Sequence, residues 1–143
     1  MGTEEMRPSD VRVGFELPPV SHLVTRRNIL RFGKMVGGFN PVHEDDEVAE
    51  EFGFEGMIAH GVMHMNYITQ VLCDFAGHPD RVRKLDVSFR SPVYPGDEIT
   101  ARGVIKNIER DGFRTRVTCA VWSENQDKVT VVDGSAEIEL ATG

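Results

Sequence analysis

Apolar residues recur along this chain with two different periods, and the change of period divides it into two halves. In the first half, Ile29, Leu30, Phe32, Met35 and Val36 form one stripe at helical spacing. They predict a helix from Arg26 to about Val36, capped by Thr25 and ended by Gly37-Gly38. Ahead of it, Gly14 to Pro19 reads as a lead-in and Val20 to Val24 as a short strand. Behind it comes the loop Phe39-Asn40-Pro41-Val42-His43, where Pro41 disfavours helix at Asn40. A short acidic helix is then expected over Asp45 to Phe52, its Asp45, Asp46 and Glu47 facing the positive end of the dipole. From Ile58 to Phe75 apolar residues nearly surround the helical wheel, until Gly77 and Pro79 stop the run; this predicts a helix buried on most sides.

In the second half the period falls to two. Leu85, Val87 and Phe89 alternate with Asp86, Ser88 and Arg90, and Ile99, Ala101, Gly103 and Ile105 alternate with Thr100, Arg102 and Lys106. Phe113, Val117, Cys119 and Val121 continue the alternation, and Val132, Ala136, Ile138 and Leu140 close it. Pro95-Gly96, Asp111-Gly112 and the segment Asn125 to Lys128 supply the turns between these runs. The order predicts an α+β fold, with a curved antiparallel sheet wrapped around a central buried helix. A sheet of this kind keeps open edges, and pairing with a second copy or a similar subunit would cover one.

Composition narrows the picture without changing it. At 143 residues the chain fits one domain, expected over residues 11–143, with residues 1–10 as a flexible polar tail. That start lacks the basic-then-apolar profile of a secretory signal, and no apolar run is long enough for a bilayer, so a cytoplasmic protein is expected. Cys73 and Cys119 both fall inside apolar patterns and are expected as reduced, buried thiols. The net charge of −7, with scattered basic residues, argues against a nucleic-acid surface; a local basic rim can still hold a small anion.

Three ordered stretches carry the candidate chemistry. They are Gly38-Phe39-Asn40-Pro41-Val42-His43, then Ile58-Ala59-His60-Gly61-Val62-Met63, then Phe89-Arg90-Ser91-Pro92-Val93-Tyr94-Pro95-Gly96-Asp97. Together they resemble the signature stretches of the MaoC-like (R)-specific enoyl-CoA hydratases and dehydratases, and with the element order the likeness spans about residues 10 to 140. The resemblance implies a hot-dog fold and addition of water to a 2-enoyl thioester of coenzyme A or acyl carrier protein, or the reverse. It implies no cofactor beyond the coenzyme A of the substrate. In such enzymes an Asp and a His five residues later share one catalytic water, and a backbone N–H at the start of the central helix receives charge from the thioester oxygen. His43 matches the histidine, Asn40 its neighbouring, positioning asparagine, and Gly61 the N–H donor. The aspartate has no counterpart, because Gly38 stands five residues before His43. Glu44, Asp45 and Asp46 follow His43 into the acidic helix, where they are expected to face solvent or cap it.

Other readings stand beside this one. Gly38 favours a non-catalytic or half-site subunit of a heteromeric MaoC-like hydratase, as homodimer or heterodimer with another hot-dog chain. A hot-dog acyl-CoA thioesterase needs a carboxylate that directs water at the carbonyl, and no residue clearly fills that place. His60 and His64 lie four apart but lack the Glu of a zinc-protease helix, so no metal is expected; His60 reads as helix-start structure near the site, and His64 as a buried polar residue in need of a hydrogen-bond partner. Arg90 is a solvated strand charge or part of a rim for a coenzyme A phosphate.

Overall fold

The computed structural model describes residues 11–36 and 40–141. In chain order the elements are β1 (Glu16–Leu23), α1 (Arg26–Val36), a 3-10 turn at Pro41–His43, α2 (Asp46–Glu51), α3 (Gly61–Ala76) and a second 3-10 turn at Pro79–Arg81. The strands β2 (Val82–Phe89), β3 (Glu98–Asp111), β4 (Arg114–Glu124) and β5 (Thr130–Ala141) follow. The five strands form one antiparallel sheet in the order β1-β3-β4-β5-β2, so β1 and β2 are its edges. Helix α3 packs against every strand of it.

The alternation read from the sequence supplies the inner face. Ile99, Ala101 and Ile105 of β3, Val117, Cys119 and Val121 of β4, and Val132, Ala136, Ile138 and Leu140 of β5 are all buried against Met63, Ile68, Val71, Leu72 and Phe75 of α3. Burial pushes the Cys119 thiol up to about 12 and raises that of half-buried Cys73, so neither is an available nucleophile at neutral pH. Among the described residues no helix is long and apolar enough to cross a membrane.

Four details depart from expectation. Strand β1 starts at Glu16 rather than Val20, and Pro18 and Pro19 sit where its register against β3 shifts, between Leu17 and Val20. On an edge strand, at a bulge, the missing N–H groups interrupt little of the ladder. Among the described side chains of α1 the buried positions are Ile29 and Gly33, whereas Met35, counted in the apolar stripe, is 83% exposed. Phe113 lies in the β3–β4 turn and is exposed, because that hairpin tip projects past the sheet. Helix α3 is not apolar all round: Val62, Asn66, Gln70 and Asp74 form a narrow exposed stripe at four-residue spacing.

Two glycines have firm structural reasons. Gly77, at φ 85°, takes the left-handed turn that ends α3 and returns its N–H to the Cys73 carbonyl. At Gly134 the backbone of β2 approaches β5 so closely that a Cβ would run into the Asp86 carbonyl and come within 2.7 Å of the Val87 Cα.

Candidate active site

The segment between α1 and α3 is held by polar contacts rather than by a thick core. Thr25 Oγ1 accepts from Asn28 N at 3.0 Å and fixes the start of α1. Asn40 is extended, as the following proline requires, and its Oδ1 accepts from Val42 N at 3.2 Å, capping the Pro41–His43 turn. Asp45 caps α2 through the N–H groups of Glu47 and Val48. Asp46 does more than face solvent: its carboxylate accepts from Met57 N and from the Arg26 guanidinium, both at 2.8 Å. Those two donors, Met57 first, hold its carboxyl below the usual range. One side chain thus ties α1, α2 and the approach to α3 together.

That clamp leads into a short strap. Ile58 N donates to the Val42 carbonyl at 3.0 Å, Ala59 N donates to the Val93 carbonyl at 2.8 Å, and Met57 and Ala59 are buried. The Ile58 carbonyl lies 2.8 Å from His43 Nδ1. A carbonyl can only accept, so Nδ1 is the donor, and in the neutral form of the ring that tautomer places the lone pair on Nε2. His43 and Gly61 line the same open cavity of about 350 Å³, whose other walls are mainly apolar and include Ile58, Phe89 and Val93.

Gly61 opens α3, and no side-chain hydrogen bond caps that helix. The first N–H groups of a helix have no intrahelical acceptor, so this end offers donors and the positive end of the dipole to the cavity wall. The Phe89 ring stands over the same turn, close enough that a Cβ on Gly61 would meet its Cζ at 2.9 Å. Both reasons for glycine therefore coincide here: a close neighbour and an accessible backbone.

Two further histidines sit behind and below His43. The His60 ring stacks on His43 with centroids 4.0 Å apart, and its other neighbours are Phe32, with ring centroids 5.2 Å apart, and the backbone of α1 at Gly33. Burial first, and the His43 charge second, lower its pKa. His60 does not line the cavity; it backs the ring that does. His64 lines the cavity itself, is 3% exposed, and is pushed down to about 4 by burial and, less, by His60. The Nδ1 atoms of both rings are buried without a hydrogen-bond partner.

The structure therefore brings His43, Gly61 and Arg90 to one cavity and keeps Asn40 and His60 off its wall. Asn40's hydrogen bond is local, to the turn that carries His43. Arg90 is at the rim, with its Nε 2.9 Å from Asp133 Oδ1, so much of its charge is already matched. Gly38 lies outside the described residues. Sequence reasoning missed His64 and Phe89 as cavity residues. The signal for His64 was its place three residues after Gly61, on the same side of the helix; that for Phe89 was its place at the head of the third motif stretch, beside Arg90.

The match to known proteins is consistent along the chain. A family model described as MaoC like domain covers residues 15–127. Mitochondrial 3-hydroxyacyl-acyl-carrier-protein dehydratase of Arabidopsis thaliana is 27% identical over 120 residues, covering 81% of this chain and 70% of its own. Among solved structures, the unliganded R-hydratase PhaJ1 of Pseudomonas aeruginosa superposes with a TM-score of 0.80 at 26% identity, covering 96% of this chain and 86% of its own. The ChsH1-ChsH2 complex of Mycobacterium tuberculosis matches in fold with a TM-score of 0.78 at 20% identity, covering 90% of this chain and 98% of the other. The sheet wrapped on α3 is the hot-dog fold of these proteins.

Proposed function

The chain belongs to the MaoC-like domain family, and from that premise we propose that it hydrates 2-enoyl thioesters of coenzyme A or acyl carrier protein, or dehydrates the corresponding 3-hydroxyacyl thioesters. The observation that carries the reading is the His43 Nδ1 to Ile58 carbonyl bond at 2.8 Å, which in the neutral ring puts the lone pair on Nε2, on a residue that lines the same cavity as Gly61. In the hydration direction His43 Nε2 takes a proton from the water whose oxygen bonds to C3 of the enoyl group. The electron pair of the C2–C3 double bond shifts toward the thioester carbonyl, and its oxygen gains charge beside the N–H of Gly61. Return of the proton from His43 to C2 restores the thioester and the neutral ring. Gly38 stands where the family's second acid-base group is expected, so His43 carries both transfers. Asn40 acts only through the turn it caps.

Loss of crotonyl-CoA absorbance at the enoyl band tests this directly. His43→Ala should lower the rate about a hundredfold to ten-thousandfold, the usual contribution of a positioned proton-transfer group. Equal rates for the two proteins would remove His43 from the mechanism.

A second reading draws on a separate observation. The fold match to ChsH1-ChsH2, a complex of two named components, together with Gly38, supports a half-site role beside another hot-dog subunit, joined through an open edge at β1 or β2. Activity that appears only on mixing with such a partner favours it, and a fully active single-chain oligomer ends it. Arg90, although paired with Asp133, keeps an exposed guanidinium that can meet a coenzyme A phosphate at the rim.

A further inference from the structure

We propose that His64 is a specificity-determining residue whose ring hydrogen-bonds an oxygen function, hydroxyl or carbonyl, carried on the acyl group of the substrate. The proposal rests on the acyl-thioester reading above and adds the chemistry of the acyl chain.

His64 follows Gly61 by three residues, about 4.5 Å along the helix axis, and both line the same cavity, so a thioester held at the start of α3 has this ring within reach of its acyl part. The ring lines the cavity and is 3% exposed, and its Nδ1 has no hydrogen-bond partner. Most of the other lining residues, Phe54, Ile58, Ala59, Phe89, Pro92 and Val93, are apolar, while His43, Arg90 and Ser91 supply the polar remainder. The Tyr67 ring stands 6.4 Å away between centroids. A cavity meant for a plain hydrocarbon would be served better by leucine, which leaves no polar atom unmatched. Buried as it is, the ring stays neutral at neutral pH, presenting one N–H and one lone pair. That pair matches a neutral oxygen group, not an ionic one.

Calorimetric binding of unreactive, saturated thioesters to the full chain separates this from turnover. Hexanoyl-CoA is compared with its 4-hydroxy, 5-hydroxy and 5-oxo counterparts. At least one oxygenated member should bind about threefold to tenfold more tightly than hexanoyl-CoA, the effect of one net buried hydrogen bond. In His64→Leu that ratio should fall to about one or below, and His64→Gln, which keeps a donor and an acceptor, should restore part of it. The ratio is read within one protein, so a general weakening by a purely structural role would not move it. No preference in the unaltered chain overturns the proposal without needing any variant, and a preference that persists in His64→Leu does the same. Crotonyl-CoA hydration without the preference sinks this inference alone; the preference without hydration sinks the hydratase reading alone.

Discussion

The two ends of α3 are built on different terms. At the C-terminal end Ile68, Val71, Leu72, Phe75 and Ala76 are buried, Gly77 closes the last turn, and Arg81 Nη1 donates to the Ala76 carbonyl at 2.6 Å. At the N-terminal end no side chain caps the helix, and His60 and His64 keep buried nitrogens without partners. One end is satisfied and apolar; the other carries unspent hydrogen-bonding capacity next to a cavity. Helix termini and buried polar atoms are normally matched, so the imbalance sets the N-terminal end of α3 apart from the rest of the core.

The sharpest way to break this contrast is at the satisfied end. Leu72→Ala should cost about 2–5 kcal/mol of stability, measured as a shift in the urea midpoint, because it empties space between α3 and the sheet. The molecules that remain folded should keep their crotonyl-CoA rate. If the rate per folded molecule falls first, the two ends are not separable.

Acid probes the other end. The folded pKa of His64, about 4, lies below its ordinary 6.5, so the unfolded chain takes up the proton first. Stability is therefore full above about 6.5 and declines as pH falls toward 4, by about 3 kcal/mol in all at 1.36 kcal/mol per unit. Denaturation midpoints collected across that range should flatten in His64→Leu. The contribution of Asp46, whose pKa is lowered from 3.8, is lost at still lower pH and should survive that substitution. The smallest effect is expected at the rim: Arg90→Ala should raise KM for an acyl-CoA roughly threefold at low salt and less at high salt, since the guanidinium is exposed and already paired.

Much of the architecture was legible because it depends on one-dimensional patterns. The period of β3, β4 and β5 marked most of the inner face but not its buried polar members Thr115 and Ser123, and Thr25, Gly77 and the turn dipeptides marked element ends from their own backbone chemistry. What escaped depends on neighbours distant in sequence. Pro18 and Pro19 are tolerated in β1 only because that strand is an edge with a shifted register. Gly33 is buried by the His60 ring and not by the apolar stripe of its own helix. The motif pointed to His43 and Gly61, which share a cavity, but the group that orients His43 is the Ile58 carbonyl, and a carbonyl leaves no mark in a sequence.

That carbonyl has an evolutionary consequence. A base aimed by a neighbouring acid loses its bearing when a single codon changes, whereas one aimed by the main chain does not, since every amino acid at position 58 supplies the same oxygen. A substitution at position 58 therefore alters a side chain that lines the cavity and leaves in place the oxygen that His43 Nδ1 meets.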